Sequence, residues 1–423
     1  MTDMESNKKD IAGIRTIDGL DVAGRTVLLR LDINSPIDGR TKRIIGENRL
    51  RMSLPTLEKL LSRGAKLAII AHQGDTLDYQ NLIPMREHAE RLAALTGARI
   101  DYIDDVAGPA AQQKVRELRE GEGILLGNLR YLTEEVSTFE NAVPLEADGM
   151  LDTWLVRSLA PLADCYVNDA FSAAHRNCPS MVAFQRILPT AGGELLLREL
   201  GALTRVAEAP ERPCVFVLGG AKISDAFGML APVLKNGTAD RILTCGVTGE
   251  VFLAASGVDL GAAKTAWLAK RGLDRFIADA RGYLEAYSDR IDMPLDLAYE
   301  QGGRRVECAV DTAQGLPADA HFLDIGARTC STYAQTLAGA GTIFMNGPAG
   351  AYETSLFETG TKTLWSAVAA SQGYSVIGGG DTVMAAERFT DLADYSYVCT
   401  AGGAMVRFMS GKELPLVTAM RQA

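Results

Sequence analysis

Short apolar segments alternate with amphipathic segments along most of this chain. The apolar runs have the length of strands, and the segments between them repeat their apolar residues at helical spacing. Strands are predicted at 26–31, 67–71, 123–126 and 165–167, and from Val215, Ile242, Phe322, Ile343, Val376 and Tyr397 onward. Helices are predicted over 51–63 and 84–96. Strands that alternate with helices indicate βαβ units and parallel sheets buried on both faces, so the pattern predicts an α/β fold.

The length of 423 residues is too great for one ordinary core, so two domains are expected. We predict two Rossmann-like domains, each with three layers built around a parallel sheet, joined by a hinge helix. The connector is placed at 189–208, where Pro189 and two glycines precede a helical pattern over 194–207. The N-terminal domain then covers 1–188 and the C-terminal domain covers 209–404. The tail, 405–423, is expected to pack back on the N-terminal domain.

In the C-terminal half, three apolar strands run into glycine-rich turns, each of which is predicted to open a helix. The turns are Gly219–Lys222, Asn346–Gly350 and Gly378–Thr382. Glycine lets backbone N–H groups come close to an anion, and the N-terminus of a following helix adds a favourable field. Several such turns at the carboxyl edge of one parallel sheet predict a crevice for phosphate and nucleotide.

The N-terminal half has polar and basic residues, rather than glycine turns, just after its predicted strands. They are Asp32, Asn34, Arg49, His72, Arg130, Asp169, His175 and Arg176. Arginine binds phosphate and carboxylate through two parallel hydrogen bonds. Each of these residues alone has an ordinary structural explanation, such as a turn or a surface ion pair. Together with the glycine turns they indicate phosphoryl transfer, with a nucleotide on one domain and an acidic acceptor on the other.

Charge and composition narrow the function further. The net charge of −10 argues against general binding of nucleic acid or of a membrane surface. The seven cysteines are scattered and form no C-x-x-C pair, which favours reduced thiols and a cytoplasmic location. The chain contains neither a Walker A sequence nor G-x-G-x-x-G, so neither a P-loop nor a dinucleotide fingerprint is predicted.

Eight motifs in this chain resemble those of the phosphoglycerate kinases, in particular the enzymes of archaea, and they occur in the family's order. They are 29–36 (LRLDINSP), 48–49 (NR), 71–74 (AHQG), 128–131 (NLRY), 167–176 (VNDAF through HR), 218–223 (LGGAKI), 346–353 (NGP through E) and 378–382 (GGGDT). The resemblance extends from Val27 to about Pro415, which is nearly the whole chain.

The resemblance implies reversible phosphoryl transfer between 1,3-bisphosphoglycerate and MgADP, giving 3-phosphoglycerate and ATP. It implies Mg²⁺ with ADP or ATP as cofactor, and a monomer, with a dimer left open. Catalytic positions would be Arg49, Lys222, Gly379 and Gly402. Positions that bind the acid substrate would be Asp32, Asn34, Arg49, His72, Arg130 and Arg176. Nucleotide-binding positions would be Gly219, Lys222, Gly326, Asn346, Pro348, Glu353, Gly378, Gly379, Gly380, Asp381 and Thr382, with Asp381 holding the metal through the nucleotide.

The chain departs from the family pattern at a few positions. Three residues after the histidine, where the family has a phosphate-binding arginine, this chain has Asp75, which would repel a phosphate. The late glycine trio begins with Ala401, and the family's Gly-Pro-Glu element reads Gly326-Ala327-Arg328. Two alternatives therefore stay open: a divergent paralogue that phosphorylates another acid, and a nucleotide-binding protein with weakened catalysis.

Overall fold

The computed structural model describes residues 10–74, 79–311 and 315–423, and it divides into two compact units. The first unit contains the described residues up to Gly201 together with Glu413–Ala423, and the second contains Ala202–Lys412. The division falls inside one helix, Glu194–Glu208. No helix in the described part of the chain is both long enough and apolar enough to cross a membrane.

The first unit is built from eight strands and short helices. Its strands are β1 (Asp10–Ile11), β2 (Ile14–Arg15), β3 (Thr26–Arg30), β4 (Lys66–Ile70), β5 (Ile100–Tyr102), β6 (Gly123–Leu125), β7 (Cys165–Asn168) and β8 (Thr190–Gly192). Its helices are α1 (Asn48–Met52), α2 (Leu54–Ser62), α3 (Arg86–Thr96), α4 (Pro109–Arg116), α5 (Ser137–Ala142), α6 (Ala147–Met150), α7 (Trp154–Leu159), α8 (Pro179–Val182) and the start of α9 (Glu194–Glu208).

Six of these strands form one parallel sheet in the order β5-β6-β4-β3-β7-β8. Apolar side chains of β3, β4 and β7 are fully buried because helices cover the sheet, and they form a core with Leu50, Leu57 and Leu92. The chain reverses its direction across the sheet between β3 and β7. The crevice outside the carboxyl ends of two such strands is where ligands bind in open α/β sheets. Asp32 and Asp169 follow β3 and β7 at this edge.

In the part of the chain that the structure describes, the second unit contains the other nine strands. They are β9 (Cys214–Leu218), β10 (Arg241–Thr244), β11 (Ile291–Asp292), β12 (Asp296–Gln301), β13 (Arg304–Ala309), β14 (Phe322–Ile325), β15 (Thr342–Asn346), β16 (Tyr374–Gly378) and β17 (Tyr397–Cys399). Its helices are α10 (Ile223–Lys235), α11 (Gly246–Ala255), α12 (Ala262–Lys270), α13 (Phe276–Tyr287), α14 (Ala327–Ala338), α15 (Thr359–Ala369), α16 (Gly380–Phe389) and α17 (Gly402–Met409). The last helix, α18 (Pro415–Arg421), belongs to the first unit, where the Leu416 N–H donates to the Ala174 carbonyl.

The main sheet of the second unit is also parallel and six-stranded, in the order β11-β10-β9-β15-β16-β17. Numbered along the chain within this sheet, the order is 3-2-1-4-5-6, which is that of a Rossmann sheet. The direction reverses between β9 and β15, so Gly219 and Gly347 lie side by side at the reversal. The α/β fold with two parallel sheets, predicted from the sequence, is confirmed.

Three local predictions were wrong. The strand at Phe322 does not join the parallel sheet, because β14 pairs antiparallel with β12 in a separate sheet of order β13-β12-β14. The single helix over 51–63 is two helices, α1 and α2, divided at Ser53, whose hydroxyl donates to the Leu50 carbonyl. The turn at Asn346–Gly350 does not open a helix directly, because a 3-10 turn at Ser355–Phe357 precedes α15.

Candidate active site

The two turns at the strand reversal of the second unit pack backbone against backbone. The Gly219 N–H donates to the Asn346 carbonyl over 2.9 Å, and the Gly220 N–H donates to the Pro348 carbonyl over 2.7 Å. A Cβ atom on Gly219 would lie 2.5 Å from the Pro348 oxygen, and one on Gly347 would lie 2.3 Å from the Gly219 oxygen. Glycine is therefore required here by close backbone approach, as well as by the positive φ of 88° at Gly347.

A cavity of about 120 Å³, here called the smaller cavity, lies in front of these turns. Three helices begin at its wall, at Ile223, Gly380 and Gly402. The first N–H groups of a helix have no partner within the helix, and they carry its positive dipole end. The predicted residues at this wall are Gly219, Lys222, Asn346, Pro348, Gly379, Gly380, Asp381, Thr382 and Gly402. The smaller cavity therefore has the chemistry of an anion site.

Side chains fix the shape of the smaller cavity. The Asn346 amide donates to the Gly378 carbonyl over 2.8 Å, and the Thr382 hydroxyl accepts from the Gly347 N–H over 2.8 Å. Behind them the buried Trp365 indole donates to the Thr382 carbonyl over 3.0 Å. These bonds connect β15, β16, α15 and α16, so the start of α16 is held rigidly against the neighbouring turn.

Two charged side chains face each other across the smaller cavity. Lys222 Nζ lies 3.8 Å from an Asp381 carboxylate oxygen, and both side chains are more than half exposed. An ion pair of this length and exposure contributes little to folding stability. Both charges are thus available to a ligand, the lysine to phosphate and the carboxylate to a divalent cation.

A second cavity, of about 300 Å³, is here called the larger cavity. Gly220, Ala221, Pro348 and Asp381 line both cavities, so the two are adjacent. The wall of the larger cavity is mostly apolar and includes Leu297 and Ile325. Glu353, predicted to bind ribose hydroxyls, is at its margin. The flat base of a nucleotide would fit this space if the phosphates of the same nucleotide occupied the smaller cavity.

Two predicted nucleotide positions line neither cavity. Gly326 precedes α14 and is packed against Asp296, where a Cβ atom would lie 2.2 Å from the Asp296 carboxyl carbon. Gly378 ends β16 and faces Met405, whose sulfur would lie 2.2 Å from an added Cβ atom. Both glycines are thus required by close packing against neighbouring side chains.

In the first unit, Arg49 is fixed by a buried carboxylate. Arg49 NH1 lies 2.7 Å from Asp32 Oδ1 and 2.8 Å from Oδ2, and it also donates to the Ser172 hydroxyl over 3.1 Å. Asp32 is only 2 % exposed, whereas the Arg49 side chain is 29 % exposed. The remaining N–H groups of the guanidinium can therefore reach a ligand while its orientation is held from behind.

His72 is buried among arginines. Its Nδ1 lies 2.9 Å from Arg30 NH2, and since arginine can only donate, Nδ1 accepts and Nε2 carries the proton. Burial lowers the pKa of His72 well below its usual range, and the nearby positive charges lower it further; they belong to Arg30, Arg130, Arg49 and Arg176. The imidazole is consequently neutral. Because the charges of Arg49, Arg130 and Arg176 all act on His72, these three predicted residues lie together around it.

Arg130 and Arg176 approach the same backbone carbonyl. Each donates to the Glu135 oxygen, over 3.5 Å and 3.4 Å respectively. Arg176 Nε also donates to the Glu140 carboxylate over 2.6 Å, so a carboxylate already pairs with this arginine. The buried Glu135 carboxylate accepts from the Ser180 N–H and hydroxyl, over 2.7 Å and 2.6 Å, which fixes the segment that both arginines contact.

Asn34 belongs to a network that orders the loops after β3 and β4. Its side-chain oxygen accepts from the Gly74 N–H over 3.0 Å. Gln73 bonds both backbone groups of Ser35, and its oxygen also lies 2.9 Å from Nε2 of the buried His88. The departure at Asp75 lies outside the residues that the structure describes.

Several residues of these sites have no recognisable signal in the sequence. Arg30 lies at the end of β3 and is 3 % exposed, and its place in a strand gave no sign of a polar role. Ser172 lies within the motif at 167–176 but was given no role, and Glu140 lies outside every motif; the fold brings them to Arg49 and Arg176. In the larger cavity, Glu250 is the one charged residue of an otherwise uncharged helix, and no motif connects it with Lys264.

A comparison with known families decides the relationship. The family model described as "Phosphoglycerate kinase" matches residues 17–412. The chain belongs to the phosphoglycerate kinase family. The predictions of this family, and of a phosphotransferase whose acceptor is a carboxyl group, are confirmed.

Relatives in archaea match over almost their full length. The chain is 38% identical to the phosphoglycerate kinase of Methanothermus fervidus over 408 residues, which is 96% of this chain and 97% of that protein. It is 41% identical to that of Natronomonas pharaonis, over 97% of this chain and the whole of that protein. The crystal structure of the enzyme from Pyrococcus horikoshii matches with a TM-score of 0.84 at 35% identity, covering 96% of this chain and 98% of that one.

Proposed function

We propose that this chain transfers a phosphoryl group reversibly between 1,3-bisphosphoglycerate and MgADP, giving 3-phosphoglycerate and ATP, through the residues described above. The observation that carries the proposal is the smaller cavity, where three helix N-termini and Lys222 face one space beside a larger apolar cavity. On the other unit, the arginines around His72 supply a basic site for an acid that carries phosphate.

The chemistry needs positioned charges rather than a protein nucleophile. In phosphoryl transfer, negative charge spreads over the equatorial oxygens of the moving group, and cations and N–H donors stabilise it. We assign this role to Arg49, Lys222 and the backbone N–H groups at Gly379 and Gly402. The acceptor is already a carboxylate, so no general base is required. Asp32 orients Arg49, and Asn34, His72, Arg130 and Arg176 bind the acid and its phosphate.

Mg²⁺ fits the residues at the smaller cavity. Asp381 presents a half-exposed carboxylate there, which is a ligand that Mg²⁺ prefers. Among the described residues no group of three or more possible ligands could hold a metal ion alone. A single carboxylate beside a phosphate site is the usual arrangement for Mg²⁺ that arrives with a nucleotide. Bound in this way, the ion would neutralise phosphate charge, while Lys222 and the backbone N–H groups orient the nucleotide.

A coupled assay with ADP and 1,3-bisphosphoglycerate tests the proposal, with turnover of about 1–100 per second expected. MgADP binding is measured separately by calorimetry. Binding without turnover would contradict the proposal and favour one of the two alternatives, a paralogue for another acid or a protein with weakened catalysis. Other phosphorylated acids tested as acceptors of phosphate from ATP then distinguish these two. The cytoplasmic location and the monomeric state stay predictions, as does the lack of nucleic-acid and membrane partners.

A further inference from the structure

The inner wall of the larger cavity carries two buried charges that none of the predicted site residues explains. Glu250, on α11, and Lys264, on α12, both line this cavity, together with Trp267 and His321. Lys264 Nζ lies 2.7 Å from Glu250 Oε2, and the two side chains are only 2 % and 5 % exposed. A buried ion pair rarely stabilises a fold more than apolar residues of the same size would. Folding alone therefore gives a weak reason for this pair.

The lysine of the pair is well satisfied by its surroundings. Besides the carboxylate, Nζ donates to the Phe322 carbonyl over 3.1 Å. It also lies 4.5 Å from the centre of the Trp267 ring, at a distance typical of a cation–π contact. An ammonium group has three N–H donors, and Lys264 has three such neighbours: a carboxylate, a carbonyl and an aromatic ring. Lys264 therefore has little capacity left for a ligand.

The carboxylate, in contrast, has acceptor capacity to spare. Glu250 Oε2 has no hydrogen-bond partner among the described residues apart from its ion-pair contact with Lys264. An ionised carboxylate has about four positions that accept a hydrogen bond. Leaving acceptor positions of a buried carboxylate unused is costly, and a ligand in the cavity that brings an N–H group would fill one of them beside the Lys264 contact.

Glu250 lines the larger cavity but not the smaller one. With phosphates in the smaller cavity and the ribose near Glu353, a base would extend past the apolar wall toward Glu250. Adenine presents an exocyclic amino group at its 6-position, which is a hydrogen-bond donor, whereas hypoxanthine presents an oxygen there. A carboxylate attracts the first group and repels the second.

We propose that Glu250, held in place by Lys264, accepts a hydrogen bond from the 6-amino group of adenine and so makes this enzyme prefer 6-amino over 6-oxo purine nucleotides. The inference rests on the proposed function, because it uses the predicted path of the nucleotide through the two cavities. Burial raises the pKa of Glu250, so the ionised form that accepts the bond is the main form under mildly alkaline conditions.

The test compares ADP with inosine diphosphate, which differs from it at the 6-position. The ratio of kcat/KM for the two nucleotides is measured with 1,3-bisphosphoglycerate at about pH 8, above the raised pKa. The wild type should prefer ADP by roughly tenfold to a hundredfold, the range for a hydrogen bond to a charged group. In Glu250→Gln the ratio should approach one, because an amide can turn to donate to an oxygen or accept from an amino group.

Two further variants distinguish the loss of the carboxylate from misfolding and from a general change of the cavity. Glu250→Gln leaves Lys264 without its partner, so the double variant Glu250→Gln with Lys264→Met, which buries no charge, is measured beside it and should also lose the preference. A ratio is independent of the fraction of protein that is folded. The control is Trp267→Phe, which changes the cavity wall but leaves the carboxylate. It should alter kcat/KM for both nucleotides alike and leave the ratio at the wild-type value.

The possible results are distinct. A wild type that turns over both nucleotides equally, or prefers inosine diphosphate, overturns the role of Glu250 while the proposed kinase activity stands. A wild-type preference that persists in both Glu250 variants gives the carboxylate a structural role only. No turnover with either nucleotide contradicts the proposed function itself.

Discussion

Replacing Arg49 by alanine should damage the protein in two separable ways. Asp32 is almost fully buried, and Arg49 NH1 donates to both oxygens of its carboxylate. Removing one partner of a buried ion pair costs about 3–5 kcal/mol, because the other charge stays buried without compensation. Arg49 is partly exposed and water can enter its place, so we expect the lower end, about 3 kcal/mol. For a unit of about 200 residues this corresponds to a fall of roughly 6–12 °C in Tm.

The loss of activity should be larger than this loss of stability explains. An arginine that stabilises the transition state of phosphoryl transfer is worth about 10³-fold or more in kcat. Arg49→Ala should therefore lower kcat by at least about 10³-fold at a temperature where the variant is folded. The KM for ADP should change little, since Arg49 belongs to the other unit.

A second substitution separates the two effects. In Asp32→Asn with Arg49→Ala the buried group is neutral, so the Tm should recover while turnover stays low. Arg91→Ala is a matched control, because Arg91 has a similar exposure, 26 %, and pairs with Glu87 and Glu47 in the same unit. It should lower the Tm and leave kcat close to the wild-type value. A kcat of Arg49→Ala within about threefold of the wild type, or a double variant that regains turnover along with stability, would contradict the role assigned to Arg49.

Three further predictions concern single sites. Gly379→Ala should weaken ADP binding by at least about tenfold, because a Cβ atom would lie 2.7 Å from the Asn346 amide and the backbone φ is 97°. The control is Gly257→Ala, where φ is 96° but the added Cβ atom would meet open space, and the KM for ADP should stay unchanged. Glu140→Gln should lower the KM for 3-phosphoglycerate, since it removes the charge that occupies Arg176; an unchanged or higher KM would contradict this role. Burial lowers the pKa of His88 to about 4, so the unfolded chain binds a proton below its ordinary pKa of about 6.5 while the folded chain does not. Stability should therefore fall by about 2 kcal/mol from this group between pH 7 and 5, and urea unfolding of His88→Phe should show a smaller loss over that range than the wild type.

The elements that were predicted correctly are those with local signals. The buried strands and the turns at Gly219 and Gly378 are determined by adjacent residues, namely an apolar run followed by glycine. The strand at Phe322 has the same apolar run, yet its direction is set by pairing with β12, which the run does not encode. The polar hairpin of β12 and β13 has only partly buried strands and was missed for the same reason.

The candidate site shows the same division. Residues that follow strands, such as Asp32 and His72, could be predicted because a parallel sheet brings all its carboxyl ends to one edge. Arg30 and Glu250 could not, because what makes them unusual is burial beside a particular partner on another element of the fold. The roles of Gly326 and Gly378 stay predictions, since a glycine required by packing has the same sequence signature as one that approaches a ligand.

Because of where its three tryptophans lie, the intrinsic fluorescence of this protein should report nucleotide binding. Trp267 forms part of the larger cavity, and the Trp365 indole is hydrogen-bonded to the carbonyl of Thr382, a residue at the wall of the smaller one. Trp154 is exposed on the other unit. When nucleotide is added, the tryptophan emission should thus change. The change should be smaller in Trp267→Phe and unaltered in Trp154→Phe. Binding can therefore be followed without a label and before any turnover.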